Sequence, residues 1–251
     1  MDSQTPQNGK SEYDAMWVAS YFDAEGMREW DRLVSSQVDE VSLFIHTHYL
    51  KATIRPGWRV LEIGAGAGRF TQVLADAGAR VLVGDISRVQ LELNRQLASQ
   101  YHFADQVEDW LQLDITDMRQ LPDASFDAVV AYGGPLSYVM ERRDMALKEC
   151  LRVLKKHGSL LLSVMCLWGS AHRALKGVMQ VPLEINRHIT GTGDITPDMS
   201  PYLHHYMHMF RSSELVKWLG DSGLQIEALS ASGVISTVWN EAIKEIRQEP
   251  D

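Results

Sequence analysis

The run Val60-Leu61-Glu62-Ile63-Gly64-Ala65-Gly66-Ala67-Gly68-Arg69 closes a hydrophobic stretch with an acid and three glycines at alternate positions. Glycine lets a backbone turn through positive φ and approach a ligand with no Cβ between them, so this run points to a bound nucleotide. Two more acids hold comparable places, Asp85 ending "VLVGD" and Asp114 ending "LQLD". At the first, a carboxylate can accept both hydroxyls of a ribose. At the second, a carboxylate and the amide of Ile115 can meet an adenine ring. The glycine spacing separates the candidate nucleotides. A dinucleotide site needs G-x-G-x-x-G, and its last glycine would fall where this chain has Arg69; no Gly-Lys-Ser/Thr follows for a P-loop. What remains is acid-x-G-x-G-x-G, suited to a nucleoside that carries positive charge and no phosphate.

The surrounding elements must set these residues at one edge. Residues 13–52 read as helical, with Val38, Val41, Ile45, His48 and Ala52 at helical spacing before Pro56-Gly57. Strand and helix signals then alternate: strands at 59–65, 80–86, 109–115, 126–133 and 159–166, helices at 69–77, 87–100 and 142–154. Strands this apolar belong to a parallel sheet covered on both faces, so the fold class is α/β, doubly wound. Ligands of such sheets sit at the carboxyl ends of the strands. The chain reads as one domain: a helical cap (1–57), a nucleotide-binding core (58–167), a loop-rich lid after the fifth strand (168–211), and a helix-strand-helix ending (212–251), with its strand at 224–231. Ser212 or Ser213 should cap the first of those last helices, and the second should run over 238–248.

With 251 residues, 45% hydrophobic and 23% charged, the chain can bury a sizeable core. Its net charge of −9 disfavours a nucleic-acid partner, whose affinity comes from basic side chains on phosphates. No apolar run suits a membrane span or a leader, so a cytoplasmic protein is expected. Cys150 and Cys166 are too few for a zinc site and read as buried thiols.

In the order and spacing of these motifs the chain resembles the class I S-adenosylmethionine-dependent methyltransferases over roughly residues 58–166. "VLEIGAGAGRF" is similar to their first motif, "VLVGDIS" to the second, "LQLDITDM" to the adenine-contacting strand, and "SFDAVVAYGGPLSYV" to the fourth strand. The resemblance implies a mostly parallel sheet of the seven-stranded type and S-adenosylmethionine as cofactor. Glu62 would hold the methionine amine, and Gly64, Ala65, Gly66 and Gly68 would admit the methionine moiety. Asp85 and Ile86 would meet the ribose end, Asp114 and Ile115 the adenine, and the backbone at Tyr132-Gly133 the methionine end; apart from the resemblance, Tyr21 is a candidate to line the methionine end as well. One departure concerns the seventh, antiparallel strand, for which only "YMHMF" (206–210) or "VISTVW" (234–239) is available.

Gly133-Gly134-Pro135-Leu136 stands where amino-methylating relatives that act on nucleobases carry Asn- or Asp-Pro-Pro-aromatic, and it offers no magnesium ligand. A small-molecule acceptor, methylated on O or N by a monomer or homodimer without metal, is the expectation. The alternatives are a macromolecule methyltransferase and a module that binds the cofactor without turnover. A hydroxyl or ammonium acceptor needs a base, and histidine suits that task. His204 or His205 is the candidate, with His208 and Tyr138 toward the substrate. His46 and His48 point apart on their helix and read as packed or solvated.

Overall fold

The computed structural model describes residues 12–201, 203, 206–233 and 245. Three helices precede the sheet: α1 (Ala15–Glu25), α2 (Arg28–Asp31) and α3 (Gln37–Thr53). The expected continuous helical stretch is interrupted because Gly26, at φ 52°, ends α1. Asp14 and Ser36 cap α1 and α3, accepting the N–H groups of Trp17 (3.0 Å) and Asp39 (3.2 Å). These bonds satisfy donors that a helix start leaves without partners.

Five parallel strands follow: β1 (Arg59–Ile63), β2 (Arg80–Asp85), β3 (Val107–Gln112), β4 (Phe126–Ala131) and β5 (Leu154–Leu162), in the order β3-β2-β1-β4-β5. Helices α4 (Arg69–Asp76), α5 (Arg88–Gln100), α6 (Pro135–Tyr138) and α7 (Arg143–Val153) lie between them. Alternate residues divide the strands between two cores. Leu61, Ile63, Leu82, Val129 and Ala131 pack with Leu136, Met140 and Cys150 on one side. Val60, Val81, Val83, Ala128 and Val130 pack with Leu50, Phe70, Leu74 and Leu91 on the other. Val60, in register with Val81 and Ala128, is as fully buried as both. Each such Val or Leu contributes about 1.5–3 kcal/mol by leaving water. The connection from β1 goes to one side of the sheet while β4 lies on the other, so a crevice opens at their carboxyl ends.

The later elements depart from expectation. β5 begins and ends earlier than 159–166, because its start at Leu154 pairs with Phe126 across a register shift. The segment 168–211, expected as loops, is largely helical: α8 (Leu167–Arg173), α9 (Leu175–Val178), α10 (Leu183–Thr192). Its Pro and Gly residues punctuate helices, Pro182 standing at the N-cap of α10 and Gly193 closing it at φ 87°. A two-stranded antiparallel pair follows, β6 (Asp194–Ile195) with β7 (Met207–His208). "YMHMF" thus supplies β7 and a single parallel bridge from Phe210 to Cys166 beyond β5; no sixth strand joins the main sheet among the described residues. α11 (Ser212–Asp221) begins at the expected serine, with Arg211 in the capping position. Residues 224–231 alternate in sequence but form no strand, since no neighbouring edge pairs with them. The last expected helix and "VISTVW" lie outside the described residues, Glu245 excepted. Cys150 is buried as expected, whereas Cys166 is exposed and receives the N–H of Gly169 at the start of α8. No described helix is long and apolar enough to cross a membrane.

Candidate functional site

The glycine turn leaves β1 and is pinned to β2: the N–H groups of Gly64 and Ala65 donate to the carbonyl of Gly84 at 2.8 and 3.2 Å. Gly64, Gly66 and Gly68 all have positive φ, at 71°, 53° and 100°. At Gly68 the need for glycine is also steric. A Cβ there would stand 2.8 Å from the side-chain amide of Asn94 on α5. Arg69, in the place of a dinucleotide glycine, donates to the carbonyl of Trp30 at 2.6 Å and lies over its ring at 3.7 Å, fastening α2 against the start of α4.

Asp85, at the end of β2, accepts the N–H of Gly66 on one oxygen and that of Ser87 on the other, both at 2.8 Å. Burial pushes its carboxyl up to about 6, and those two N–H bonds pull against the rise. A carboxylate has about four acceptor directions, so these bonds do not use them all. Glu62 is more confined. It alternates with Leu61 and Ile63 and therefore points to the opposite core, where Thr71 donates to its Oε2 at 2.6 Å. Asn94 Nδ2 bonds both the Thr71 hydroxyl (3.0 Å) and the Gly66 carbonyl (3.2 Å), while Trp110 Nε1 donates to Asn94 Oδ1 at 2.9 Å. Full burial raises the Glu62 carboxyl to about 8, against the Thr71 bond and with some help from the charge of Asp85.

A cavity, open on one side to solvent, occupies the crevice. Gly64, Gly66, Asp85 and Ile86 line it from the first two strand ends, Leu113 and Ile115 from the third, and Tyr132, Gly133, Pro135, Tyr138 and Val139 from the fourth. The N-terminal segment closes it with Tyr13, Val18, Phe22 and Glu29. Tyr13 is tied at both ends: its N–H donates to Glu141 at 2.9 Å and its hydroxyl to Asp114 Oδ2 at 3.0 Å. Thr116 donates its N–H and hydroxyl to the other oxygen of Asp114, at 2.8 and 2.7 Å. Glu62 and Asp114 are not among the lining side chains, although both stand at the strand ends expected. Burial raises the phenols of Tyr13 and Tyr138 well above the ordinary range, so both stay protonated at neutral pH.

Tyr21 stacks on Trp17 (5.3 Å between centroids), which meets Tyr206 edge-on at 4.8 Å; this contact joins α1 to the insertion rather than to the cavity. His208 lies away from the cavity, with its Nδ1 2.7 Å from Asp194 and its Nε2 2.8 Å from Glu214. His204 and His205 fall outside the described residues. His46 is packed, as expected, its ring edge-on to Tyr132 at 4.7 Å and its Nδ1 on the Ser42 carbonyl. Sequence reasoning missed Tyr13, Phe22, Glu29, Thr71 and Asn94. Asn94 had a signal, since an amide on the inner face of the helix after β2 must find partners; the N-terminal residues had none, because nothing in their spacing shows which face meets the sheet.

The residues present suit an adenosine with a cationic tail. Gly64 and Gly66 bring bare backbone to the cavity, and two carboxylates, Glu29 and Asp85, line it, which suits a ligand that carries positive charge. A parallel sheet of this order with a crevice at its carboxyl ends is of the Rossmann-like type. A family model described as a methyltransferase domain matches residues 61–162, and this match, with the relatives and the solved structure that follow, indicates an S-adenosylmethionine-dependent methyltransferase of class I. Over 201 residues it is 25% identical to the ubiquinone biosynthesis O-methyltransferase of Xanthomonas axonopodis pv. citri (strain 306), covering 78% of this chain and 74% of that one. The protein of the same name from Xanthomonas oryzae pv. oryzae (strain PXO99A) is 26% identical over 188 residues, 73% and 68% of the two chains. In fold, the chain matches magnesium protoporphyrin IX methyltransferase from Synechocystis PCC 6803, solved with bound S-adenosylmethionine, with a TM-score of 0.60 at 17% identity over 92% and 94% of the chains.

Proposed function

We propose that the protein transfers a methyl group from S-adenosylmethionine to an oxygen atom of a small, at least partly apolar acceptor. The observation that carries this reading is the character of the wall facing the glycine turn. Val18, Phe22, Pro135, Tyr138 and Val139 line it, and they suit a compact ring better than a polyanion. The choice of oxygen over nitrogen draws on the relatives named as O-methyltransferases.

The cofactor supplies a methyl group on a positively charged sulfur, and the protein's part is alignment and exclusion of water. Asp85 would take the ribose hydroxyls on its open acceptor directions, with Ile86 beside it. Asp114 and the amide of Ile115 would receive the adenine, Tyr13 yielding or sharing the Asp114 oxygen it now holds. The backbone of Gly64, Ala65, Gly66, Tyr132 and Gly133 would surround the methionine. His204 or His205 would remove the acceptor proton, a role that neither Tyr13 nor Tyr138 can fill while its phenol stays protonated. The insertion at 168–211 would support the acceptor wall from behind, where Met207 and Met209 pack in the same core as Tyr138.

The test is incubation with S-adenosylmethionine and a panel of catechols, phenols, amines and carboxylic acids, followed by mass spectrometry. A methylated catechol or phenol in equal amount with S-adenosylhomocysteine is expected. Methylation confined to amines would overturn the oxygen reading.

A further inference from the structure

The outer edge of the sheet carries a shallow depression whose walls share no residue with the cofactor crevice. Arg88, Leu91, Glu92 and Arg95 form one wall; at positions i, i+3, i+4 and i+7 of α5 they share a helix face. Trp110 and Gln112 form the other, two residues apart on β3, the last strand of the sheet. The guanidinium of Arg95 stands over the Trp110 ring, 5.2 Å from its centre. Arg88 Nε donates to Gln112 Oε1 at 2.7 Å, which leaves its terminal N–H groups uncommitted. Among the described residues neither guanidinium is paired with a carboxylate, and Glu92 accepts from Gln96 at 2.9 Å instead.

We propose that this depression binds a small aromatic monocarboxylate, and that its occupancy is felt at the cofactor turn. Arg88 offers a fork to the carboxylate, while Arg95 and Trp110, with Leu91 between the two arginines along α5, offer flat and apolar surface to the ring. Glu92 narrows the choice. Two arginines, one glutamate and one ligand carboxylate sum to zero charge, whereas a polyphosphate would set surplus charge against Glu92. Both β3 side chains also continue inward. Gln112 Nε2 donates to the carbonyl of Ile86 at 3.0 Å; Trp110 Nε1 donates to Asn94, whose own Nδ2 holds the Gly66 carbonyl. Ile86 and Gly66 line the crevice. A ligand that fixes Trp110 and Gln112 thereby orders two points of the crevice wall, so the cofactor has less to order when it arrives. The linkage rests on the cofactor reading above; the binding itself does not.

Titration calorimetry with 2-naphthoate and its neutral analogue 2-naphthamide, each with and without saturating S-adenosylhomocysteine, tests both halves. Arg88→Gln should weaken 2-naphthoate by about 10-fold and leave 2-naphthamide unchanged, whereas Arg95→Gln should weaken both. Each variant should keep the wild-type affinity for S-adenosylhomocysteine alone, which shows that it is folded. In the wild type, 2-naphthoate and S-adenosylhomocysteine should tighten each other by one common factor, about 5-fold or more. Trp110→Phe, which keeps a ring and removes the N–H, should abolish most of that factor. No binding of 2-naphthoate, or equal binding by wild type and Arg88→Gln, would overturn the site. Binding that leaves the affinity for S-adenosylhomocysteine unchanged would overturn the linkage. Wild-type protein that binds 2-naphthoate but not S-adenosylhomocysteine would overturn the cofactor reading and leave the site standing.

Discussion

The cofactor crevice and the insertion behind it treat buried polar groups in opposite ways. Asp85 and His208 are both almost wholly buried, at 5% and 2% exposure. Asp85 accepts two backbone N–H groups and keeps acceptor directions open toward a cavity, whereas His208 has a carboxylate on each ring nitrogen and nothing left to offer. A buried polar group with all its valence used is structural, and one held with valence in reserve belongs to a site. Burial raises the carboxyl of Asp85 to about 6, with a smaller contribution from the nearby charge of Glu29.

The contrast can be broken most strongly at the glycine turn. Gly68→Ala puts a Cβ against Asn94 at φ 100° and should cost about 2–4 kcal/mol, seen as lost cofactor binding and a lower Tm. Next come two substitutions that should separate the regions. Asp85→Ala should weaken S-adenosylhomocysteine by about 1–3 kcal/mol, measured by calorimetry. His208→Ala should lower stability in urea by about 1–3 kcal/mol and leave that affinity intact, since the Asp194 and Glu214 it frees do not line the cavity. If His208→Ala abolished cofactor binding, the division between the two regions would be wrong.

The smallest effect should be a pH dependence. Glu62 has its folded carboxyl at about 8 against an ordinary 4.5, so between those values the folded chain holds a proton that the unfolded chain has released. Stability therefore falls as pH rises through that window, and Asp85 adds the same sign between 3.8 and about 6. Without ligand, the Tm should decline from pH 5 to pH 8. Glu62→Gln, which can keep the bond from Thr71, should be nearly neutral at pH 5 and flatten the decline above pH 6, as scanning calorimetry would record.

How much of this was legible follows the same division. The strands from 59 to 131 and the acids at their ends were readable because parallel strands are apolar throughout and their glycine turns have few chemical meanings. Asp85, Gly64 and Gly66 line the crevice, while Gly68 faces Asn94 at the start of α4. Glu62 stands at its strand end, but strand alternation turns it away from the cavity, and a motif cannot show which side of a strand end a ligand will occupy. The insertion misled because Pro182 and Gly193 read as loop residues until a helix is seen between them. Leu224 and Ile226 alternate like strand residues yet pack against the cluster of Leu147, Phe210, Leu215 and Leu219 without joining a sheet. Glu29 and Tyr13 depended on how the leading helices dock, which local spacing does not encode.

Trp110 gives the buried chain under the turn an experimental use. Its indole N–H ends in the amide of Asn94, and that amide also grips the carbonyl of Gly66. The chromophore is thereby wired to the backbone that a nucleoside would touch. With the other tryptophans replaced by phenylalanine, the emission of this one ring becomes an optical gauge of loop occupancy, available without label or turnover.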